Sequence, residues 1–482
     1  MSSMYLSMDA SSAPEARILP WNSRSMATLR SKPNTPLMPE LETPMSTMTT
    51  SPHANLNMRL QDIPEDALTS LRTEANESFQ KMGWPSMRDE AWRYTDTRKI
   101  ASTEFSTADP GASVEIDRLA PYMLGQDMPR MIFVDGIYQP SLSTAESSSE
   151  VRIDRIADVI ASEPDRLMER LAAHAQWKDD PANALSTMML TDGVMVEIAA
   201  GADMTSPIHV IYYSSGGDQP ISIHPRILVV AGDGSSGTVI ETHAGDTDNT
   251  ILTAPVTELI AGDNVNLDHY RMIREGSNTS HLGDLAMHQG ASSEVSSCVL
   301  AFDGPLIRSR MRATLAGEHG NAILHGLALG HDTRHVENLL RVNHMVPNCR
   351  SREEFKHVLD DKSSAAFTGR IYVAEGAQKT DAVQTNRNLV LTKTGKAVAR
   401  PQLEIYADDV KCTHGATTGE LDPEAMFYLQ ARGVPADAAR GMLIQAFAGE
   451  ILDDVRPQAL REQAMMLLRD RLPAAEHLAM ID

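Results

Sequence analysis

The sequence has 482 residues, of which 42% are hydrophobic and only 5% aromatic, so any core is packed with aliphatic side chains. Its 43 basic and 65 acidic residues leave a net charge of −22, which repels phosphate backbones and anionic lipid surfaces and argues against a nucleic-acid or membrane partner. No run of about 18 apolar residues could span a bilayer. The three cysteines, Cys298, Cys349 and Cys412, form neither a disulfide framework nor a CxxC pair and suit a reducing compartment.

Residues 1–55 read as a leader or an over-extended start, rich in Ser, Thr, Pro and Met, with Met48 a candidate initiator. There is no apolar segment for a secretory signal, and Asp9, Glu15, Glu40 and Glu42 are wrong for an acid-poor presequence. The expected location is a bacterial-type cytoplasm, with organellar import left open. Residues 56–185 read as a mixed, largely helical domain. Pro64-Glu65-Asp66 opens a helix whose apolar positions are Leu68, Leu71, Ala75 and Phe79, and Gly83 and Pro85 stop it. A short helix carries Trp92, and 154–173 has helical spacing through Ile156, Val159, Ile160, Leu167 and Leu171.

From 186 to 415 the period becomes two. Val194 to Ile198, Ile208 to Tyr212 and Ile227 to Val230 are typical runs, separated by Gly, Asn, Asp and Ser clusters. Sandwich, barrel and solenoid all fit, and aliphatic ladders with few rings suit the solenoid best. No strict repeat is visible. Residues 416–482 return to helix. Asp422 caps, Pro423 takes the first position and Gly433 ends the first helix. A second starts near Pro435, with Met442, Leu443, Ala446, Phe447 and Ile451 on one face, and a third covers 457–471.

Gly232-Asp233-Gly234-Ser235-Ser236-Gly237 matches a dinucleotide fingerprint, but a β-branched run follows where a helix is required, so a turn is expected. No phosphate-binding P-loop occurs. His319, His325, His331, His335 and His344, with Cys349 and His357 behind them, fit no zinc spacing and are expected to scatter over strands and turns. Cys412-Thr413-His414 is sharper. On a strand, residues two apart share a side, so a thiol and an imidazole could hold a soft metal such as iron if other ligands came from elsewhere. A structural Cys beside a structural His remains the competing reading.

That pair sits in Asp408 to Thr417, followed by Leu421-Asp422 and Met426 to Gly433. Further blocks are Arg334 to Asn338, Pro347 to Ser351, Ala377 to Ala382 with Gln384, Asn386 and Asn388, and Trp92 to Thr95. Together they resemble the SufB/SufD family of iron–sulfur cluster assembly proteins over about residues 60–465. The Cys412-Thr413-His414-Gly415 form, and the lack of a Cys among Gln384 to Asn388, place the resemblance in the SufD arm. Phe355-Lys356-His357 and Phe367-Thr368-Gly369 depart from the family's usual residues.

The resemblance implies a mainly β protein, a right-handed parallel β-helix core with helical N- and C-terminal domains. It implies a non-catalytic scaffold that pairs with SufB through the β-helix and with the ATPase SufC through C-terminal helices, where Phe427, Tyr428, Met442 and Phe447 are the expected contacts. His414 is the implied ligand for a transient iron–sulfur cluster or iron, with Cys412 as its neighbour. Flavin involvement stays open. Two rival readings are a homodimeric scaffold with Cys412 as sulfur acceptor and, remotely, a solenoid carbohydrate-active enzyme, which the scattered acids disfavour.

Overall fold

The computed structural model describes Ile63 and residues 65–109, 111–125 and 127–472. The expected leader and Pro64 lie outside these residues. The chain forms a β-solenoid of about 8 turns with helices before and after it, the mainly β architecture expected from the period-two runs.

Each turn contributes one strand to each of two sheets, and the strands stack in parallel. One sheet grows through Ser236–Gly245, Asn266–Arg274, Glu294–Asp303, Asn321–Gly330, Arg350–Leu359, Asp381–Val390 and Lys411–Gly419. The other grows through Arg226–Ala231, Val256–Ala261, Thr279–Gln289, Leu306–Leu315, His335–His344, Ser364–Val373 and Lys396–Ile405. Alternation sends every second side chain inward. Val239, Leu267, Val295, Ala322, Leu285, Met311, Leu340 and Phe367 fill the interior with aliphatic ladders and few rings.

The outer faces are covered by different parts of the chain. Helix Thr69–Met82 and the segments after it bury Ala75, Phe79, Trp92, Leu185 and Met188 against Leu252 and Leu282 of one sheet. Helices Ala436–Leu452 and Gln458–Asp470 bury Ile444, Ala448, Ile451, Leu460, Ala464 and Leu468 against Tyr270, Leu300, Leu327 and Val358 of the other. As expected, Asp422 caps helix Pro423–Ala431, its carboxylate accepting from the Glu424 amide at 2.9 Å, and Gly433 follows at φ +90°.

Two expectations need correction. Among the described residues the first helix begins at Thr69, later than expected; the Leu68 amide is held by the Asp66 carboxylate at 2.8 Å, a turn that delays the start. The stretch 154–173 is not one helix. It opens with strand Val151–Arg155, then splits into Ile156–Ser162 and Pro164–Met168, because Pro164 lacks the amide that would continue the ladder. The glycine-rich match is a turn, with Gly234 at φ +70°, leading into strand Ser236–Gly245.

Candidate functional site at the open end of the solenoid

Cys412 and His414 lie on Lys411–Gly419, the last strand of its sheet. Among the described residues its only strand neighbour is Asp381–Val390, with Cys412 opposite Ala382 and His414 opposite Gln384. Ala382 and Gln384 face the interior and are buried, so Cys412 and His414 continue that inward-facing file into the last coil among the described residues. His414 is exposed. Cys412 is half-buried against the small cluster of Ile371, Val373, Ala377, Ala382 and Ala407, and burial raises its thiol pKa. The other sheet stops at the same end with Lys396–Ile405, where Val398, Ile405 and Tyr406 are exposed. Two edge strands of nine and ten residues therefore display unpaired backbone groups side by side.

Beneath this end the resembling blocks converge. Gln384 Nε2 donates to Glu353 Oε2 at 2.5 Å. Full burial raises the Glu353 carboxyl to a pKa of about 8, so it is largely neutral at pH 7. Asn388 Oδ1 lies 2.7 Å from His357 Nδ1, and Asn338 Nδ2 lies 2.9 Å from His357 Nε2. Asn386 Nδ2 donates to the Phe355 carbonyl at 3.2 Å. Asn338, Gln384, Asn386 and Asn388 thus form a hydrogen-bonded floor under the last coil. On the outer face Trp92 and Thr95 meet the Arg334 to Asn338 block: Thr95 and Arg308 both bond the Glu337 carboxylate, and the Arg308 guanidinium stacks 3.8 Å from the Trp92 ring centre.

The remaining expected residues separate into two kinds. Phe427 and Tyr428 are 72% and 56% exposed on helix Pro423–Ala431, which buries none of its own residues. Met442 and Phe447 are half-buried against the chain's own solenoid, and Lys356 Nζ sits 5.1 Å from the Phe447 ring centre. The histidines between His319 and His357 scatter over three strands and two turns, as expected. Cys298 is buried under the C-terminal helices, its pKa pushed up to about 12, and Cys349 is buried in the interior. Unanticipated is a buried charged cluster in the middle coils, around Glu241, His243, His269, Arg271, Glu275 and His281. Its sequence signal is the same-face spacing of Glu241 with His243 and of His269 with Arg271.

Two family descriptions match the chain. The SufBD core domain of the SUF system for FeS cluster assembly matches residues 212–447, and the SufBD protein N-terminal region matches residues 54–210. Among curated relatives, the iron–sulfur cluster assembly protein SufD of Escherichia coli is 30% identical over 413 residues, covering 84% of this chain and 94% of that protein. An iron–sulfur cluster assembly SufBD family protein of Synechocystis is 29% identical, covering 81% and 88%. A chloroplastic protein of Arabidopsis thaliana, ABCI7, is 27% identical, covering 82% and 84%. This chain belongs to the SufBD family of iron–sulfur cluster assembly proteins and is SufD-like.

Proposed function

We propose that this chain is the SufD-type scaffold subunit of a SufB–SufC–SufD assembly and that its open end is where a nascent cluster meets it. The observation that carries the reading is that half-buried Cys412 and exposed His414 continue the inward-facing file on a strand with no outer neighbour among the described residues. Long bare edge strands are templates for pairing, and natural proteins cover or blunt them. A second β-helix laid against this end would cover both edges and bring its own ligands toward His414. One exposed imidazole supplies one labile iron ligand, which favours a cluster built for transfer over one kept in place. The cluster is cargo here, shared with the SufB side.

Helix Pro423–Ala431 is the proposed SufC contact. It has no core of its own, and Phe427 and Tyr428 stand clear of the surface. Met442 and Phe447 would support that face from below. ATP hydrolysis belongs to SufC, and this chain is no enzyme in its own right. SufC moves the SufB junction only if it binds the two arrangements with different affinity. Among the described residues no helix is long and apolar enough to cross a membrane.

The test is His414→Ala in the purified three-subunit complex, with iron and sulfide counted after reconstitution. The expected result is loss of most cluster loading with the complex intact. Loading and iron content equal to the unaltered complex would refute the role of His414.

A further inference from the structure

Midway along the solenoid, far in sequence from Cys412 and His414, two buried imidazoles face each other. His243 lies on strand Ser236–Gly245, His281 on Thr279–Gln289, and Glu275 just after Asn266–Arg274. The ring centres are 5.0 Å apart and the rings nearly perpendicular. Donor atoms of His243, Glu275 and His281 all lie within 4.8 Å of one another. All three residues are buried.

Each ring has one nitrogen held by a carboxylate and one left bare. Glu275 Oε1 lies 2.9 Å from His281 Nδ1, while His281 Nε2 has no partner. Glu241 Oε2 lies 3.2 Å from His243 Nε2, while His243 Nδ1 has no partner. A carboxylate fixing one nitrogen so that the other presents its lone pair is the arrangement around metal-bound histidine. The bare nitrogen packs closely on Gly283, where a Cβ would come within 2.7 Å of His281 Nε2 and 2.9 Å of Arg271 Nη1, an atom that also has no hydrogen-bond partner among the described residues. The charge balance also favours a cation. Arg271 is matched by Glu241, Nε to Oε1 at 2.5 Å. Glu275 touches only His281 and Thr253 Oγ1 through its carboxylate, and among the described residues it pairs with no Arg or Lys. A buried carboxylate without a counter-charge is costly, and a water between the two rings would satisfy the rings but not the charge.

We propose that His243 and His281, with Glu275, form a second metal site that holds one divalent cation inside the solenoid, separate from the cluster-handling end. Two imidazole nitrogens suit a borderline ion, Zn²⁺ or Fe²⁺, with Glu275 holding the His281 ring from behind and supplying negative charge. The full chain carrying Cys412→Ser and His414→Ala removes the end site, so failure here and failure of the assembly role stay distinguishable. That protein, stripped with chelator, is incubated with Zn²⁺ or, without oxygen, with Fe²⁺, desalted and analysed for metal. About one retained ion per chain is expected, the two arms showing which ion holds better. Adding Glu275→Gln weakens retention roughly 10–100-fold, and Gly283→Ala, whose methyl would push the His281 ring away, removes it. Anomalous diffraction at the zinc edge, with the interior unaltered, should place the ion between His243 and His281. No retained ion, retention undiminished by Gly283→Ala, or an ion located elsewhere would overturn the proposal. The diffraction arm decides even if a variant fails to fold.

Discussion

The two ends of the solenoid are built on different terms. At the N-terminal end both sheets close with a reversed strand: Val151–Arg155 runs antiparallel to Val194–Ile198, and Ile137–Tyr138 antiparallel to Arg130–Val134. Helices then bury Ile156, Val159, Leu167 and Leu171 against Met195 and Leu228. At the C-terminal end both sheets stop with parallel strands in mid-stack. The first end protects its backbone groups and the second leaves them for something else. The contrast teaches that, among the described residues, the last coil ends without the reversed strands that close the first. Four experiments test it, from the interior outward.

The largest effect is expected from Phe367→Ala. Phe367 is fully buried, its ring 5.5 Å from that of Phe355, inside the next-to-last coil. Removing it leaves a cavity and costs about 3–5 kcal/mol. Denaturant unfolding of the isolated chain measures this. A loss below about 1 kcal/mol would show that the coils near the open end are loosely packed without a partner.

Glu353 gives a pH-dependent effect on the order of a few kcal/mol. Its carboxyl titrates at about 8 in the fold against 4.5 when exposed, so between these values the native state holds the proton more tightly. Stability is full below about pH 4.5, falls as pH rises, and levels off above about 8. Glu353→Gln mimics the neutral acid and should flatten that slope. Unfolding curves from pH 5 to pH 8.5 check this, and an unchanged slope in the variant would assign the effect to another group.

How much of this was legible beforehand depends on what each feature needs. Alternation in Ile208-His209-Val210-Ile211 is local, so the strand there was readable. The pair Cys412 and His414 was readable as same-side residues for the same reason. The coil repeat was not, because partners sit about 30 residues apart and the turns between them differ in length. The cluster of His243, Glu275 and His281 shares that obstacle: its members come from three strands or strand ends and meet only once coils stack. Proline breaking the 154–173 stretch was visible as Pro164 but was outweighed by the apolar spacing. That the last coil stays open is an absence, which no residue announces.

Ala416→Pro tests the bare edge itself. Lys411 N donates to Thr380 O at 2.8 Å, so alternate amides on that strand serve the neighbouring strand and the amide of Ala416 points outward. Proline there removes no internal bond and is tolerated on an edge. The isolated chain should unfold within about 0.5 kcal/mol of the unaltered one. Association with the SufB-type partner should fall roughly 100-fold, about 2.7 kcal/mol. Titration calorimetry distinguishes the two, and unaltered affinity would mean the edge is not where the partner pairs.

The smallest effect belongs to the exposed aromatics of the flanking helices, where the same contrast recurs on a smaller scale. Ile444 is buried on the solenoid, whereas Phe427 and Tyr428 project from a helix with no buried residue. The Arg432 guanidinium stacks 4.4 Å from the Tyr428 ring centre. Ile444→Ala should therefore destabilise the chain by about 2–4 kcal/mol. Phe427→Ala and Tyr428→Ala should leave stability unchanged and weaken the SufC-type ATPase partner by about 1–2 kcal/mol each, since exposed aromatic anchors contribute at interfaces and not to the fold. Measured by unfolding and by binding on the same proteins, the two classes of substitution should exchange columns. If Phe427→Ala weakens the fold and spares the partner, the helix is an internal brace, and the docking face must be sought around Met442 and Phe447 instead.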